Sequence, residues 1–61
     1  MSERAQRVLD ALIAYDNDYS DGYPITVIYH FFDKYNNDED YENLTAEEER
    51  QVIEKFLEFA Y

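Results

Sequence analysis

A formal charge of −10 on 61 residues constrains this chain more than any other feature of its sequence. Fifteen Asp and Glu residues stand against five Lys and Arg, so a folded state must keep most of its carboxylates in water while it buries apolar side chains. Disorder requires low hydrophobicity together with high net charge, yet 46% of the residues are hydrophobic. We therefore expect a folded and strongly acidic domain.

The core of such a domain has to be built from side chains alone. A chain of this length buries only about 60% of the surface that its unfolded form exposes, and disulfides usually help at this size. There is no Cys and only one His, which excludes disulfides and the usual ligand set of structural zinc. We expect a single domain over residues 1–61.

The first segment has the spacing of an amphipathic helix. Its apolar residues recur at i, i+3, i+4, i+7 and i+8: Ala5, Val8, Leu9, Leu12 and Ile13. Ser2 precedes them and is suited to cap the helix. Glu3 and Arg7 are spaced i, i+4 and would support it as an ion pair. The polar run 16–22 is rich in turn-forming residues and predicts that the helix ends near Tyr15.

The middle segment admits two interpretations. Residues 25–32 are rich in β-branched and aromatic side chains, which is typical of a strand. Pro24 suits the first turn of a helix, and apolar residues continue at helical spacing: Ile25, Ile28, Phe32 and Tyr35. A single strand between two helices would leave its backbone groups unpaired. We predict a helix from Pro24 to Tyr35, and an α+β fold with residues 25–32 as a strand is the minor alternative.

The last segment carries a capping box. Thr45 is the predicted N-cap and Glu48 reaches back to it. One apolar face follows: Val52, Ile53, Phe56, Leu57 and Ala60. A polar acidic loop over residues 36–43 separates this helix from the middle one. The predicted fold is therefore all-α, a small three-helix domain with two acidic loops.

The predicted middle helix is apolar nearly all round. Two short neighbours can cover only part of its circumference, so it is expected either to lie between them or to be shared with another molecule. A homodimer through this helix is one form of that expectation.

The inventory of reactive side chains is too small to indicate an enzyme. His30 is the only histidine, Gly22 is the only glycine, and there is no thiol. We predict no catalytic residue, no cofactor and no metal site. Calcium is the alternative, on partial matches to an EF-hand loop that begin at Asp16 and at Asp38.

Charge and hydropathy also bear on location. The first residues are polar and show no secretory pattern, and no apolar run approaches the roughly 20 residues that span a bilayer. Anionic lipids and nucleic acids would repel a chain of charge −10. We expect a cytoplasmic protein without membrane contact and without direct nucleic-acid binding.

The charge itself predicts a class of partner. An acidic surface on a folded scaffold is complementary to the basic clefts with which proteins bind nucleic acids. Carboxylates spaced along a helix or clustered on loops could occupy positions that phosphates take, and tyrosines among them would add contact area. The predicted contact residues are Asp16, Asp18, Tyr19, Asp21, Asp38, Glu39, Asp40, Tyr41, Glu42, Glu47, Glu54 and Glu58.

In size and composition the chain resembles phage-encoded DNA mimics, the short acidic proteins that block restriction or CRISPR effectors. The resemblance is one of charge and length without a shared motif, so no residue role is carried over from it. It implies an inhibitor that acts in the host cytoplasm on a basic nucleic-acid-binding protein or complex. Two simpler hypotheses explain the acids as a solubilising surface or as adaptation to high salt.

A second class of function uses the apolar residues instead of the acids. A small helical regulator or antitoxin-like protein would bind a protein partner through the middle helix, with Tyr29, Phe31 and Phe32 as anchors. Binding of that kind would resist salt, whereas binding through carboxylates would weaken as salt rises.

Overall fold

The computed structural model describes residues 1–19 and 22–61, and their regular structure is all helical. Four helices follow in chain order: α1 at Glu3–Tyr19, α2 at Pro24–Lys34, α3 at Glu39–Glu42 and α4 at Ala46–Ala60. The predicted all-α fold is confirmed. Residues 25–32 lie within α2, so the strand alternative is not adopted.

Helices α1, α2 and α4 begin where the sequence predicts, at residues that cap or favour a helix start. The Ser2 hydroxyl accepts a hydrogen bond from the Ala5 N–H at 3.1 Å. Thr45 and Glu48 form the reciprocal capping box, with each side chain accepting from the other's backbone N–H at 3.0–3.1 Å. Pro24 lies in the first turn of α2. These starts depend only on residues within one turn, which explains why sequence alone predicts them.

Helix α1 runs four residues beyond its predicted end. It continues through the polar run to Tyr19, although Asp, Asn and Ser usually favour turns. Contacts with distant parts of the chain hold the extra turn, since Asp16 accepts a hydrogen bond from the Tyr61 hydroxyl at 2.7 Å. The Tyr19 ring also packs on Tyr15 with centroids 4.9 Å apart. Tertiary contacts therefore override the local turn preference here.

The predicted acidic loop contains a helix of one turn. Helix α3 begins after Asp38, whose carboxylate accepts the Asp40 N–H at 2.9 Å. It ends at Asn43, whose backbone N–H donates to the Glu39 carbonyl at 3.2 Å. The prediction of three helices with an acidic loop over residues 36–43 is thus corrected to four helices, because Asp38 is an effective N-cap for a short segment.

The central element of the fold is α1, which contacts each of the other three helices and most extensively α4. Eight apolar residues are buried in the core, four of them from α1: Ala5, Val8, Leu9, Leu12, Val27, Phe31, Val52 and Phe56. Of the two arrangements expected for the middle helix, the one in which it lies between the other two is not observed, since α1 takes that place.

Helix α2 packs on the core with one of its faces, and another of its faces is exposed to solvent. Val27 and Phe31 are buried, whereas Ile25 is 80% exposed and Tyr29 is 66% exposed. The predicted anchor Phe31 is therefore part of the core and cannot contact a partner. No helix in the described part of the chain has the length and apolar character needed to cross a membrane.

Candidate functional site

Helices α1, α2 and α3 line a cleft of about 350 Å³, which we call the tyrosine cleft after Tyr15, Tyr19, Tyr35 and Tyr41 on its walls. Five of the twelve predicted contact residues lie on this cleft: Asp18, Tyr19, Asp38, Asp40 and Tyr41. They come from two acidic segments that are separated by about twenty residues in the sequence. The fold therefore brings part of each segment to one place.

Tyr15 is at the centre of the aromatic wall. Its ring lies 4.9 Å from that of Tyr19, 6.4 Å from that of Tyr35 and 5.9 Å from that of the buried Phe31, measured between centroids. The Tyr15 contacts with Tyr35 and Phe31 are edge-to-face, which is a favoured geometry for ring pairs. Because Phe31 belongs to the core, the tyrosine wall is in direct contact with the core.

A lysine of the chain itself faces these rings. The Lys34 Nζ lies 5.8 Å from the centroid of Tyr15, 5.6 Å from that of Tyr19 and 5.5 Å from that of Tyr35. All three distances fall within the range of about 6 Å over which a ring face attracts a cation. Among residues 1–19 and 22–61, Lys34 makes no ion pair, so its ammonium group is held near the rings by the rings themselves.

The opposite side of the cleft is closed by an ion pair. The Arg7 guanidinium donates from Nε and Nη2 to the two carboxylate oxygens of Asp40, both at 2.8 Å. This bidentate bond raises the pKa of Arg7, and the same bond lowers the pKa of the Asp40 carboxyl. The sequence indicated Glu3 as the partner of Arg7, but the side chain turns to α3 instead.

Two more contacts position α3 as the third wall. The Tyr41 ring lies 4.7 Å from that of Phe32, which joins α3 to α2. Asp38 lines the cleft and caps α3 with one oxygen, Oδ1. Helix α3 has only four residues and would be unstable alone. It is held by the Arg7–Asp40 ion pair, by the contact between the Tyr41 and Phe32 rings, and by the Asp38 cap.

Several predicted contact residues of α1 and α3 lie elsewhere. Asp16 is half-buried and accepts the Tyr61 hydroxyl, so this carboxylate has a structural role. Glu39 and Glu42 are exposed on α3. Asp21 lies outside the described residues. Each of the two acidic segments thus contributes only some of its predicted contact residues to the cleft.

The acids of α4 form a separate group. Glu54 and Glu58 line a shallow depression together with Lys55. Glu47, near the start of α4, is exposed, and its carboxylate lies 3.8 Å from the Arg50 guanidinium. The predicted stripe of Glu47, Glu54 and Glu58 therefore carries two lysine or arginine neighbours that reduce its charge.

Glu48 has a role that the sequence indicated only in part. Besides its capping bond, it accepts a hydrogen bond from the Ser2 hydroxyl, which ties the start of α1 to the start of α4. The Ser2 hydroxyl and then the Thr45 N–H lower the pKa of Glu48. One side chain thus links two helix N-termini.

Sequence reasoning missed Lys34, Arg7 and Tyr35 as cleft residues. A signal was present in the spacing of Tyr15 and Tyr19, four residues apart and so on one face of a continuous helix. Because α1 was predicted to end at Tyr15, Tyr19 was placed outside the helix and this spacing was not used. No signal in the sequence placed Lys34 near these rings, because that proximity depends on how α2 packs on α1.

The geometry does not favour calcium at the second partial EF-hand match, which begins at Asp38. In the second match Asn43 takes the place of the loop glycine, yet its φ is −96°, outside the left-handed region. Asp40 of the same match is bound to Arg7. The first match includes Ser20 and Asp21, which lie outside the described residues. Within the ranges that are described, no group of three or more His, Asp or Glu side chains could hold a metal ion.

Comparison with protein-family models, with curated proteins and with solved structures finds no match to this chain. The functional argument therefore depends on the residues and their geometry.

Proposed function

We propose that this protein inhibits a basic nucleic-acid-binding protein, such as a defence nuclease or CRISPR effector, by occupying its nucleic-acid cleft as a DNA mimic. The observation that carries the proposal is the position of the carboxylates. No charged residue of the described chain is buried, and only Asp40 and Glu47 among the described acids form ion pairs. The remaining negative charge is available to an external partner.

The basic residues do little to neutralise this surface. Arg7 is bound to Asp40 and Lys34 faces tyrosine rings, so neither reaches the acids exposed on α3. Glu39 and Glu42 consequently have no cationic partner within ion-pair distance among the described residues. A rigid acidic projection next to an aromatic cleft fits the chemistry of a surface that replaces phosphates and stacked bases.

The mechanism would be competition for the same groups. Lysine and arginine side chains that bind phosphates would instead bind carboxylates, and the bulk of the domain would exclude the nucleic acid. No covalent step and no cofactor enters such a mechanism. Because the interaction is dominated by charge near the surface, its affinity would fall as ionic strength rises.

The inhibitor proposal can be tested by affinity capture with variants chosen from the structure. Affinity capture from a host lysate, with the protein as bait, would be washed at low and then high salt. The first variant is Glu39→Lys with Glu42→Lys, because both side chains are exposed and neither makes a side-chain hydrogen bond in the described chain. The control is Asp33→Lys with Glu49→Lys, which changes the net charge equally at exposed positions outside the predicted contact set.

The proposal requires a nucleic-acid-binding partner that salt or added DNA releases. It also requires the Glu39 and Glu42 variant to lose that partner while the control retains it. Equal loss with both variants would indicate an effect of net charge alone. In that case the binding would be non-specific attraction by net charge, and the inhibitor hypothesis would fail.

A second candidate function is supported by the outer face of α2. Ile25 and Tyr29 are four residues apart and mostly exposed, so they form an apolar ridge that an interaction protein could use. A small helical regulator, or a homodimer through this helix, would bind there. Substitution of Ile25 and Tyr29 by Ser would then abolish binding, and high salt would not.

A further inference from the structure

The chain already holds one cation in the tyrosine cleft. Three ring faces converge on the Lys34 ammonium at 5.5–5.8 Å, with no ion pair to Lys34 in the described residues. Ring faces attract cations through their quadrupole, and several aromatic rings around one point are the arrangement with which proteins recognise quaternary ammonium ligands. Lys34 therefore identifies the position at which the cleft accepts positive charge.

The cleft has space for an incoming side chain even while Lys34 lies at the rings. The cleft volume of about 350 Å³ is measured with Lys34 in place, and it lies at the lower end of the range of about 300–1,000 Å³ for ligand pockets. Asp18 and Asp38 line the same space and form no ion pair in the described chain. Their charge favours a cationic occupant over an anionic or neutral one.

We propose that the tyrosine cleft receives an arginine side chain of the protein partner, which displaces Lys34 from the rings. This inference rests on the proposed function and specifies how the basic partner is recognised. A guanidinium group stacks on tyrosine faces, is more weakly hydrated than an ammonium group, and can bind a carboxylate at the same time. Lys34 would move into solvent on its flexible stem, while Arg7 stays bound to Asp40.

The test is a titration of isotope-labelled protein with N-acetyl-arginine amide, followed by NMR. N-acetyl-citrulline amide is the matched probe, because citrulline has a similar shape and no charge. The arginine probe should shift the resonances of cleft residues on α1, α2 and α3 in a saturable manner, and the citrulline probe should not. Shifts spread evenly over the acidic surface would overturn the proposal.

Two pairs of variants test whether the arginine probe binds in the tyrosine cleft. Lys34→Gln should tighten arginine binding by about two- to fivefold more than Lys55→Gln, since only the first variant vacates the rings. Both variants remove one positive charge from an exposed side chain, so a general charge effect would make them equal. Tyr19→Ala should weaken binding, and Tyr29→Ala should not, although both rings are more than half exposed. Equal responses within either pair would contradict the proposal.

The outcomes separate this inference from the proposed function. Arginine binding in the cleft without capture of any basic partner would support the cleft and reject the inhibitor hypothesis. Salt-sensitive capture of a partner that Tyr19→Ala does not weaken and Lys34→Gln does not strengthen would leave the inhibitor hypothesis standing and would reject the cleft as the recognition site.

Discussion

Arg7 and Asp40 are 33 residues apart in sequence and are joined by two parallel hydrogen bonds of 2.8 Å. The pair connects the central helix to the shortest one and forms one side of the tyrosine cleft. Its value to the fold is geometric: both groups are at the surface, where ion pairs contribute little stability, yet the planar fork fixes where α3 lies.

We expect Arg7→Lys to loosen α3 without unfolding the rest. Lysine keeps the charge and loses the bidentate geometry. Hydrogen exchange should become faster at the backbone N–H groups of Glu42 and Asn43, which donate to the carbonyls of Asp38 and Glu39. Arg50→Lys is the matched control, because the ion pair of Arg50 with Glu47 is long, at 3.8 Å, and lies at the surface. Unchanged exchange in α3 would show that the ion pair does not hold this helix.

The Ser2–Glu48 contact predicts a difference in acid stability. The folded-state pKa of Glu48 is lowered from its ordinary value of 4.5, so its contribution is present above that value and is lost as pH falls through the lower folded pKa. Glu48→Gln keeps a capping oxygen and removes the charge. The variant should be less stable than the parent at neutral pH, and this difference should shrink below pH 4.5.

Urea unfolding midpoints from about pH 3 to pH 7 measure this effect. Glu49→Gln is the control, since Glu49 lies in the same turn and makes no side-chain hydrogen bond in the described chain. A constant difference between Glu48→Gln and the parent across the pH range would contradict the assignment.

Substitution of Phe56 and of Phe59 by Ala should have very different effects on the free energy of unfolding. Phe56 is fully buried at 0% exposure and Phe59 is 78% exposed. Phe56→Ala should lower the free energy of unfolding by about 3–5 kcal/mol, which is most of the stability of a small domain. Phe59→Ala should change it by no more than about 0.5 kcal/mol. Denaturant titrations of the two variants, with far-UV circular dichroism to report helix content, decide this prediction.

Ionic strength should raise the thermal midpoint. With a net charge of −10, repulsion between carboxylates is strongest at low salt. Melting curves at roughly 0.01 M and 0.15 M salt compare Debye lengths of about 30 Å and 8 Å. The midpoint should increase with salt, and by less in the Glu39→Lys, Glu42→Lys variant, whose net charge is smaller. A midpoint independent of salt would mean that the charges are too dispersed to repel one another strongly.

The sequence was a reliable guide to features that lie within one or two helical turns. The caps at Ser2 and Thr45, and the amphipathic faces that follow them, depend on residues three or four positions apart. The covalent chain fixes that proximity once a helix forms, so spacing is sufficient to predict it. The all-α fold required one further argument, that a single strand between two helices would leave its backbone groups unpaired.

The candidate cleft could not be predicted in this way. Tyr15 and Lys34 belong to different helices, and their contact exists only because α2 packs against α1 through Val27 and Phe31. The sequence predicts a helix that is apolar nearly all round and does not indicate which face of α2 is buried. Spacing cannot select a face when several faces are equally apolar.

What the sequence by itself determined is therefore the helices, their caps and the excess of carboxylates, all of which are properties of neighbouring residues or of composition. Only the tertiary structure decided that α1 is central, that Arg7 binds Asp40, and that Lys34 faces three tyrosines. These relationships join residues far apart in the chain. They arise from the burial of one particular set of apolar side chains, and that choice is made by the packing of the whole domain.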